Sequence, residues 1–134
     1  MNNRWIAALS PSALVALTAL VASPALYAEG SDQEAMAAAG AAVFHQCEAC
    51  HTLDPAKNGF GPNLHGVVGR EAGTVPRFAY SDALKNSGLT WNEENLRKWV
   101  ADNEALVPGT RMRHVSVTDP VEQDYLIAFL KSLN

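Results

Sequence analysis

Apolar residues recur at helical spacing near the C-terminal end of the chain. The recurrence follows Asp119-Pro120, an N-cap residue and a proline at the first helical position, which together favour the start of a helix. Six apolar residues then fall on one stripe: Val121, Tyr125, Leu126, Phe129, Leu130 and Leu133. This spacing predicts a C-terminal helix whose stripe faces the core.

An alanine-rich segment predicts a second long helix nearer the N-terminus. Ser31-Asp32-Gln33-Glu34 has the form of a capping box, in which a serine hydroxyl and a glutamate carboxylate satisfy exposed backbone N–H groups. The helix is expected to run from there to about Cys47. Gly40 interrupts it, and Phe44 lies one turn later on the same face. Close approach of the C-terminal helix at this face would explain the glycine.

Two shorter helices are predicted between these ends. Thr90-Trp91-Asn92-Glu93 is another capping box, and the helix after it should end near Asp102. Its inward-facing residues are expected to be Leu96, Trp99 and Val100. A fourth helix is predicted from Ser81-Asp82 to about Gly88, which can adopt the left-handed conformation at a helix end.

Residues 52–80 show neither helical nor alternating periodicity. Glycines and prolines recur throughout this segment, which favours a loop. A loop of this length is unusual in a small domain unless something fills the space that it encloses. The pattern as a whole predicts an all-α fold with one long irregular segment.

The first 28 residues have the pattern of a secretory signal peptide. Arg4 precedes an apolar run from about Trp5 to Leu26, and the chain becomes polar after Ala28. We predict cleavage after Ala28, so that residues 29–134 form the mature domain. The alternative is an uncleaved membrane anchor, because the apolar run approaches the length that spans a bilayer.

The chain of 134 residues has the length of one domain, and its charge excludes one class of partner. Removal of residues 1–28 would remove Arg4 and no acidic residue, which leaves nine basic residues against 14 acidic ones. Nucleic-acid binding is not expected, because there is no basic excess to neutralise phosphates.

The two cysteines of the chain lie three positions apart, in Cys47-Glu48-Ala49-Cys50-His51. A C-x-x-C pair alone also serves redox dithiols and half-sites for zinc. With a histidine directly after it, the pair is the attachment signature of a c-type haem. Cys47 and Cys50 would then form thioethers to the porphyrin, and His51 would bind the iron as the proximal ligand.

Further motifs follow this pentapeptide in an order that resembles class I cytochromes c, particularly the small bacterial periplasmic proteins close to the mitochondrial type. They cover most of residues 31–134 and are Gly61-Pro62-Asn63-Leu64-His65-Gly66, Gly69-Arg70, Tyr80-Ser81-Asp82-Ala83, Leu89-Thr90-Trp91, Pro108-Gly109-Thr110-Arg111-Met112 and Leu126-Ile127-Ala128-Phe129-Leu130. The resemblance implies one covalent haem c in the all-α cytochrome c fold, with the N- and C-terminal helices packed crosswise.

The resemblance also implies roles for residues around the haem. Met112 would be the distal iron ligand, and a neutral, soft thioether there favours the ferrous state. Pro62 would accept a hydrogen bond from the proximal imidazole through its carbonyl oxygen. The haem propionates would be held by Arg70, Tyr80, Ser81 and Trp91, and Thr110 would supply a hydroxyl to the pocket.

The other histidines are rival ligands. His45 lies too close to the attachment site to reach the far face, and His65 is expected to pin its loop through a side-chain hydrogen bond. His114, two residues after Met112, is the one serious competitor, chiefly as a ligand that replaces Met112 at high pH or on partial unfolding.

The sequence departs from the mitochondrial pattern at several positions. Trp99 stands in place of a pocket tyrosine, Leu84 in place of an asparagine and His114 in place of an aromatic residue at the haem edge. A modest positive patch around this edge is expected from four cations: Arg111, Arg113, Lys57 and Lys85.

These features predict a soluble, monomeric periplasmic one-electron carrier and not an enzyme. With His51 and Met112 both bound, the iron has no open position for a substrate. Expected partners are transient redox proteins: a cytochrome bc-type complex, a terminal oxidase, a photosynthetic reaction centre or a periplasmic dehydrogenase. No nucleic acid and no stable membrane insertion are expected. The alternative is a haem enzyme or gas-binding protein with a labile distal ligand.

Overall fold

The computed structural model describes the backbone of residues 25–134 and the side chains from Gly30 onward. The predicted signal peptide lies outside this range except for its last four residues. The described residues form five α-helices, α1 (Ala25–Phe44), α2 (Asp82–Lys85), α3 (Glu93–Ala101), α4 (Asn103–Leu106) and α5 (Pro120–Ser132), and a 3-10 turn at His45–Cys47. No helix in the described part of the chain is both long and apolar enough to cross a membrane.

The contact between α1 and α5 organises the core. A Cβ atom on Gly40 would lie 1.9 Å from the Tyr125 carbonyl oxygen and 2.7 Å from Cβ of Phe129, so only glycine allows the two helices to approach this closely. One turn along α1, the rings of Phe44 and Phe129 pack with centroids 5.0 Å apart. The close approach predicted from Gly40 is therefore confirmed.

Helix α5 begins as predicted but buries a different set of residues. The Asp119 carboxylate accepts the backbone N–H groups of Val121 and Glu122, with Pro120 at the first helical position. Val121 is 53% exposed, so the prediction that its side chain faces the core was wrong. The additional buried residues are Gln123, Ile127 and Ala128. The buried surface is broader than one stripe because α5 packs against both α1 and α3.

The starts of α1 and α3 also differ from the predictions. Ser31-Asp32-Gln33-Glu34 lies within α1 and not at its start, because the helix already begins at Ala25, where alanine and leucine favour it. The N-cap of α3 is Asn92, whose side chain accepts the N–H of Asn95. Thr90 cannot begin the helix because it forms an antiparallel bridge with Glu71. Asp102 then caps α4, a helix that the periodicity did not predict.

The long segment between the two cysteines and α2 is irregular, as predicted. Residues 52–80 contain no helix, and within the described range the bridge between Glu71 and Thr90 is its one strand-like pairing. Helix α2 begins at the predicted position, with the Ser81 hydroxyl accepting the N–H of Leu84, but it ends at Lys85 and not near Gly88. The predicted all-α class is therefore confirmed.

Candidate functional site

Cys47 and Cys50 lie where the 3-10 turn after α1 leads into the irregular segment. Both thiols are free and partly buried. The N–H groups of Cys50 and His51 donate to the Cys47 carbonyl at 3.1 and 2.9 Å, so one tight turn fixes the order of the three side chains. These bonds hold the pentapeptide in a single backbone conformation.

Two other uses of the thiol pair lack support. Burial raises the pKa of Cys47, and the neighbouring Cys50 and Glu48 raise it further. A redox dithiol needs the opposite, a lowered thiol pKa. Among residues 30–134 there is no cluster of three or more histidine, cysteine or acidic side chains that could hold a metal ion. The raised pKa of Cys47 is thus opposite in direction to that of a reactive thiolate.

The His51 ring is fixed by its own loop. Its Nδ1 donates to the Pro62 carbonyl at 2.7 Å, which places the ring proton on Nδ1 and leaves the Nε2 lone pair available. Burial lowers the pKa of His51, an effect that the bond to Pro62 opposes and the charge of His114 reinforces. A lowered pKa favours the neutral imidazole, which is the form that binds a metal.

Gly61 allows this loop to lie against the imidazole. A Cβ atom there would be 2.5 Å from Cε1 and 2.8 Å from Nδ1 of His51. The Gly61 N–H also donates to the Cys50 carbonyl at 2.7 Å. No role was predicted for Gly61, although a glycine directly before Pro62 was the signal that could have indicated one.

Met112 lies in the loop between α4 and α5 and is held by two side chains. Nε1 of Trp99 donates to the Met112 sulfur at 3.1 Å, and Nδ2 of Asn103 donates to the Met112 carbonyl at 2.9 Å. Both donors are buried, with Trp99 only 6% exposed. The loop turns at Gly109, whose φ is +87°. Asn103 was not expected. Trp99 was predicted to face inward and to replace a pocket tyrosine, but its hydrogen bond to the Met112 sulfur was not predicted.

The residues predicted to hold propionates have definite positions. Nη1 and Nη2 of Arg70 donate to the carbonyls of His65 and Asn63, each at 3.0 Å. Burial raises the pKa of Tyr80. A hydrogen bond with the Val75 backbone and the charge of the Arg70 guanidinium lower this pKa and partly offset the effect of burial. The guanidinium and the phenol therefore lie close enough to act on one anion.

Ser81, Trp91 and Thr110 complete the predicted set. Ser81 is the N-cap of α2, and Thr110 is only 3% exposed. Trp91 is buried and packs edge-on against Trp99, with ring centroids 5.0 Å apart. The Trp91 ring thus packs against Trp99, whose N–H donates to the Met112 sulfur.

The remaining histidines differ from one another. Nδ1 of His45 pairs with the Glu48 carboxylate at 2.7 Å on the surface. The His65 ring makes no hydrogen bond to the described residues, so the prediction that its side chain pins the loop was wrong; its carbonyl does so by accepting from Arg70. His114 lies inward, with Nε2 3.0 Å from the Val100 carbonyl and Nδ1 buried.

The four cations of the predicted positive patch are mostly neutralised. Lys57 pairs with Asp54 at 3.1 Å, Lys85 with Asp82 at 2.7 Å, and Arg113 lies 3.6 Å from Glu104. Arg111 donates to a backbone carbonyl, that of Ala79. The patch is therefore weaker than the sequence suggested.

These groups fit a covalently attached haem. The attachment needs two free thiols, which Cys47 and Cys50 supply. The iron needs a neutral imidazole with one free nitrogen and a second soft ligand, and His51 and Met112 have this chemistry. Because Gly61 lies directly against the His51 ring, the imidazole cannot move toward the loop that carries Gly61.

The chain is similar in sequence and in fold to known proteins. Residues 37–134 match the sequence profile of the family described as Cytochrome c. The chain is 50% identical over 99 residues to cytochrome c2 of Blastochloris viridis, covering 73% of this chain and 78% of that one. It is 47% identical over 113 residues to cytochrome c2 of Rhodomicrobium vannielii, covering 84% and 86%. The solved structure of cytochrome cH from Methylobacterium extorquens matches with a TM-score of 0.68 at 49% identity, over 72% of this chain and 97% of that one.

Proposed function

The chain belongs to the cytochrome c family, and from this premise we propose that it is a periplasmic one-electron carrier whose iron is bound by His51 and Met112. Family membership makes the protein an electron carrier with one covalent haem c, and not an enzyme. The axial ligands, the compartment and the partners are our proposal. When bound, the haem iron supplies a centre that gains and loses one electron.

The hydrogen bond from His51 to Pro62 is the observation that carries the proposal. Because Nδ1 donates to the Pro62 carbonyl, Nε2 points away from that carbonyl and the ring proton is fixed on Nδ1. A hydrogen-bond acceptor on the other ring nitrogen is the usual arrangement of histidines that bind metals, and it makes the free nitrogen a stronger ligand. His51 is thus prepared to bind iron through Nε2.

The surroundings of Met112 support its role as the second ligand. Its sulfur already accepts one donor, the Trp99 N–H at 3.1 Å, and its carbonyl is held by Asn103. Ligation through the second lone pair of the sulfur would fill the last coordination position. A six-coordinate iron leaves no site for a substrate, which suits electron transfer through an exposed edge.

The polar residues of the pocket would hold the haem carboxylates. Burying a carboxylate is costly unless donors compensate it. Arg70 and Tyr80 lie close together, and Ser81 stands at the N-terminus of α2. We assign the propionates to these residues and to Trp91, with Thr110 as a buried hydroxyl beside Met112 in the same loop.

The leader and the charge suggest where the protein acts and with what. The apolar residues before Ala28 support export and removal of residues 1–28, which leaves residues 29–134 as a monomeric domain. We propose transient partners: a cytochrome bc-type complex, a terminal oxidase, a photosynthetic reaction centre or a periplasmic dehydrogenase. Because three of the four cations of the patch are paired with acids, the attraction of the patch to an acidic partner is weak.

Absorption spectroscopy of the purified holoprotein tests the ligands. We expect the weak far-red band that sulfur ligation gives to ferric haem, its loss in Met112→Leu and its retention in His114→Ala. The ferrous protein should refuse carbon monoxide, because no coordination position is open. Loss of the band in His114→Ala but not in Met112→Leu would refute the ligand assignment, and rapid carbon monoxide binding would favour the haem enzyme or gas-binding alternative.

A further inference from the structure

We propose that His114 is a second distal iron ligand held in reserve, whose Nδ1 replaces the Met112 sulfur whenever the thioether is absent or displaced. The inference rests on the proposed function, because it requires haem iron between His51 and the loop that carries Met112. It goes beyond that function by assigning the chain a third residue that binds the metal.

The hydrogen bond of His114 determines which ring nitrogen is free. Nε2 lies 3.0 Å from the carbonyl oxygen of Val100. A carbonyl can only accept, so Nε2 carries the proton and the neutral ring presents a bare lone pair at Nδ1. This atom is buried and is the one buried side-chain nitrogen or oxygen among the described residues that has no hydrogen-bond partner.

A buried nitrogen without a hydrogen-bond partner is energetically unfavourable unless another group binds its lone pair. Buried polar groups in folded proteins are almost always satisfied, and each exception requires a physical reason. Ligation of a metal would satisfy the Nδ1 lone pair. The energetic cost of leaving Nδ1 unpaired is therefore recovered when iron is bound.

His114 also has the arrangement that prepares His51 for iron. In each ring one nitrogen donates to a backbone carbonyl, that of Pro62 for His51 and that of Val100 for His114. The other nitrogen is left as a donor for a metal, in the manner of metal-binding histidines generally.

The position of His114 in the fold places it on the side of Met112. The two residues are separated by one residue of the same loop, and adjacent residues of α3 hold them. Trp99 donates to the Met112 sulfur, and Val100 accepts from the His114 ring. A short movement of this loop, which turns at Gly109, would exchange one donor for the other.

The exchange is balanced without further reactants. The iron–sulfur bond breaks, a bond from iron to Nδ1 forms, and the oxidation state of the iron does not change. No proton is released, because the proton of the ring is already on Nε2. The other histidines do not compete: His45 pairs with Glu48 on the surface, and His65 is exposed.

The test compares ferric holoproteins by electron paramagnetic resonance and absorption. In Met112→Leu, which keeps the bulk of the side chain but cannot bind iron, we expect a low-spin signal from two nitrogen ligands. Met112→Leu/His114→Ala should become high-spin. The matched control Met112→Leu/His65→Ala should stay low-spin. Met112→Ala, alone and combined with His114→Ala, repeats the comparison with a second side chain at position 112.

Azide binding gives a second measurement on the same proteins. If His114 occupies the iron about 90% of the time, its removal from the Met112→Leu protein should tighten azide binding about tenfold, because the binding-competent fraction rises from about 0.1 to about 1.

Each unfavourable result has a separate meaning. A high-spin signal in Met112→Leu, or a low-spin signal that survives removal of His114, overturns the reserve ligand and leaves the carrier function intact. A wild-type protein without sulfur ligation overturns the ligands of the proposed function instead.

Discussion

The hydrogen bond from Trp99 to the Met112 sulfur should raise the reduction potential of the protein. An N–H group that donates to the sulfur withdraws electron density from it, so the sulfur donates less to ferric iron and the ferrous state is favoured. Trp99→Phe removes this donor and keeps an aromatic ring beside Trp91. The variant should therefore have a lower reduction potential than the wild type.

The size of this effect follows from the strength of one hydrogen bond. A neutral hydrogen bond contributes about 0.5–1.5 kcal/mol net. For a one-electron couple, a tenfold change in equilibrium constant is about 59 mV, and tenfold corresponds to about 1.4 kcal/mol. If the bond acts mainly on one oxidation state, its loss should lower the potential by about 20–60 mV.

Spectroelectrochemical titration of wild-type and variant holoproteins measures this shift. Trp99→Phe also loses packing volume, so a control must destabilise the same helix without touching the sulfur. Leu96→Ala serves, because Leu96 is equally buried in α3 and donates no hydrogen bond. A potential that rises in Trp99→Phe, or that falls no further than in Leu96→Ala, would refute the reasoning.

Two further predictions concern stability. Gly40→Ala would place a Cβ atom 1.9 Å from the Tyr125 carbonyl oxygen and should reduce the unfolding free energy by about 3 kcal/mol or more. The control Gly30→Ala meets no atom within 4 Å and should not reduce the unfolding free energy. Thermal unfolding compares the two variants, and equal midpoints would contradict the packing of α1 on α5. Burial raises the pKa of Tyr80, so above about pH 10 the unfolded chain loses its phenolic proton before the native protein does, and stability falls as the pH rises. Tyr80→Phe should lessen this alkaline loss, as urea midpoints measured across that range would reveal; an unchanged slope would contradict the burial of the phenol.

Some contacts could be predicted because a residue type permits few alternatives. Gly40 in the middle of a good helix indicated a close neighbour, and the backbone of Tyr125 lies there. Asp119 followed by a proline indicated the start of α5. The hydrogen bond between His51 and Pro62 came from the family resemblance, and its geometry is present in the structure.

Other features depend on tertiary contacts that a linear pattern does not contain. Val121 fits the apolar stripe of α5, but no helix covers that part of its surface. Thr90 fits a capping box, but its backbone pairs with Glu71 from the long loop. The donors of Trp99 and Asn103 reach Met112 from separate helices, so only the folded chain brings them together.

The contact between α1 and α5 joins the first and last helices of the described chain. A protein that crosses a membrane N-terminus first cannot make this contact until its final residues have emerged. With the export that we propose, Cys47 and Cys50, directly after α1, would arrive in the new compartment well before the core can close over them. The order of the elements would then leave a period in which the thiols are accessible for attachment of the haem, and the arrival of α5 would close the fold around the finished site.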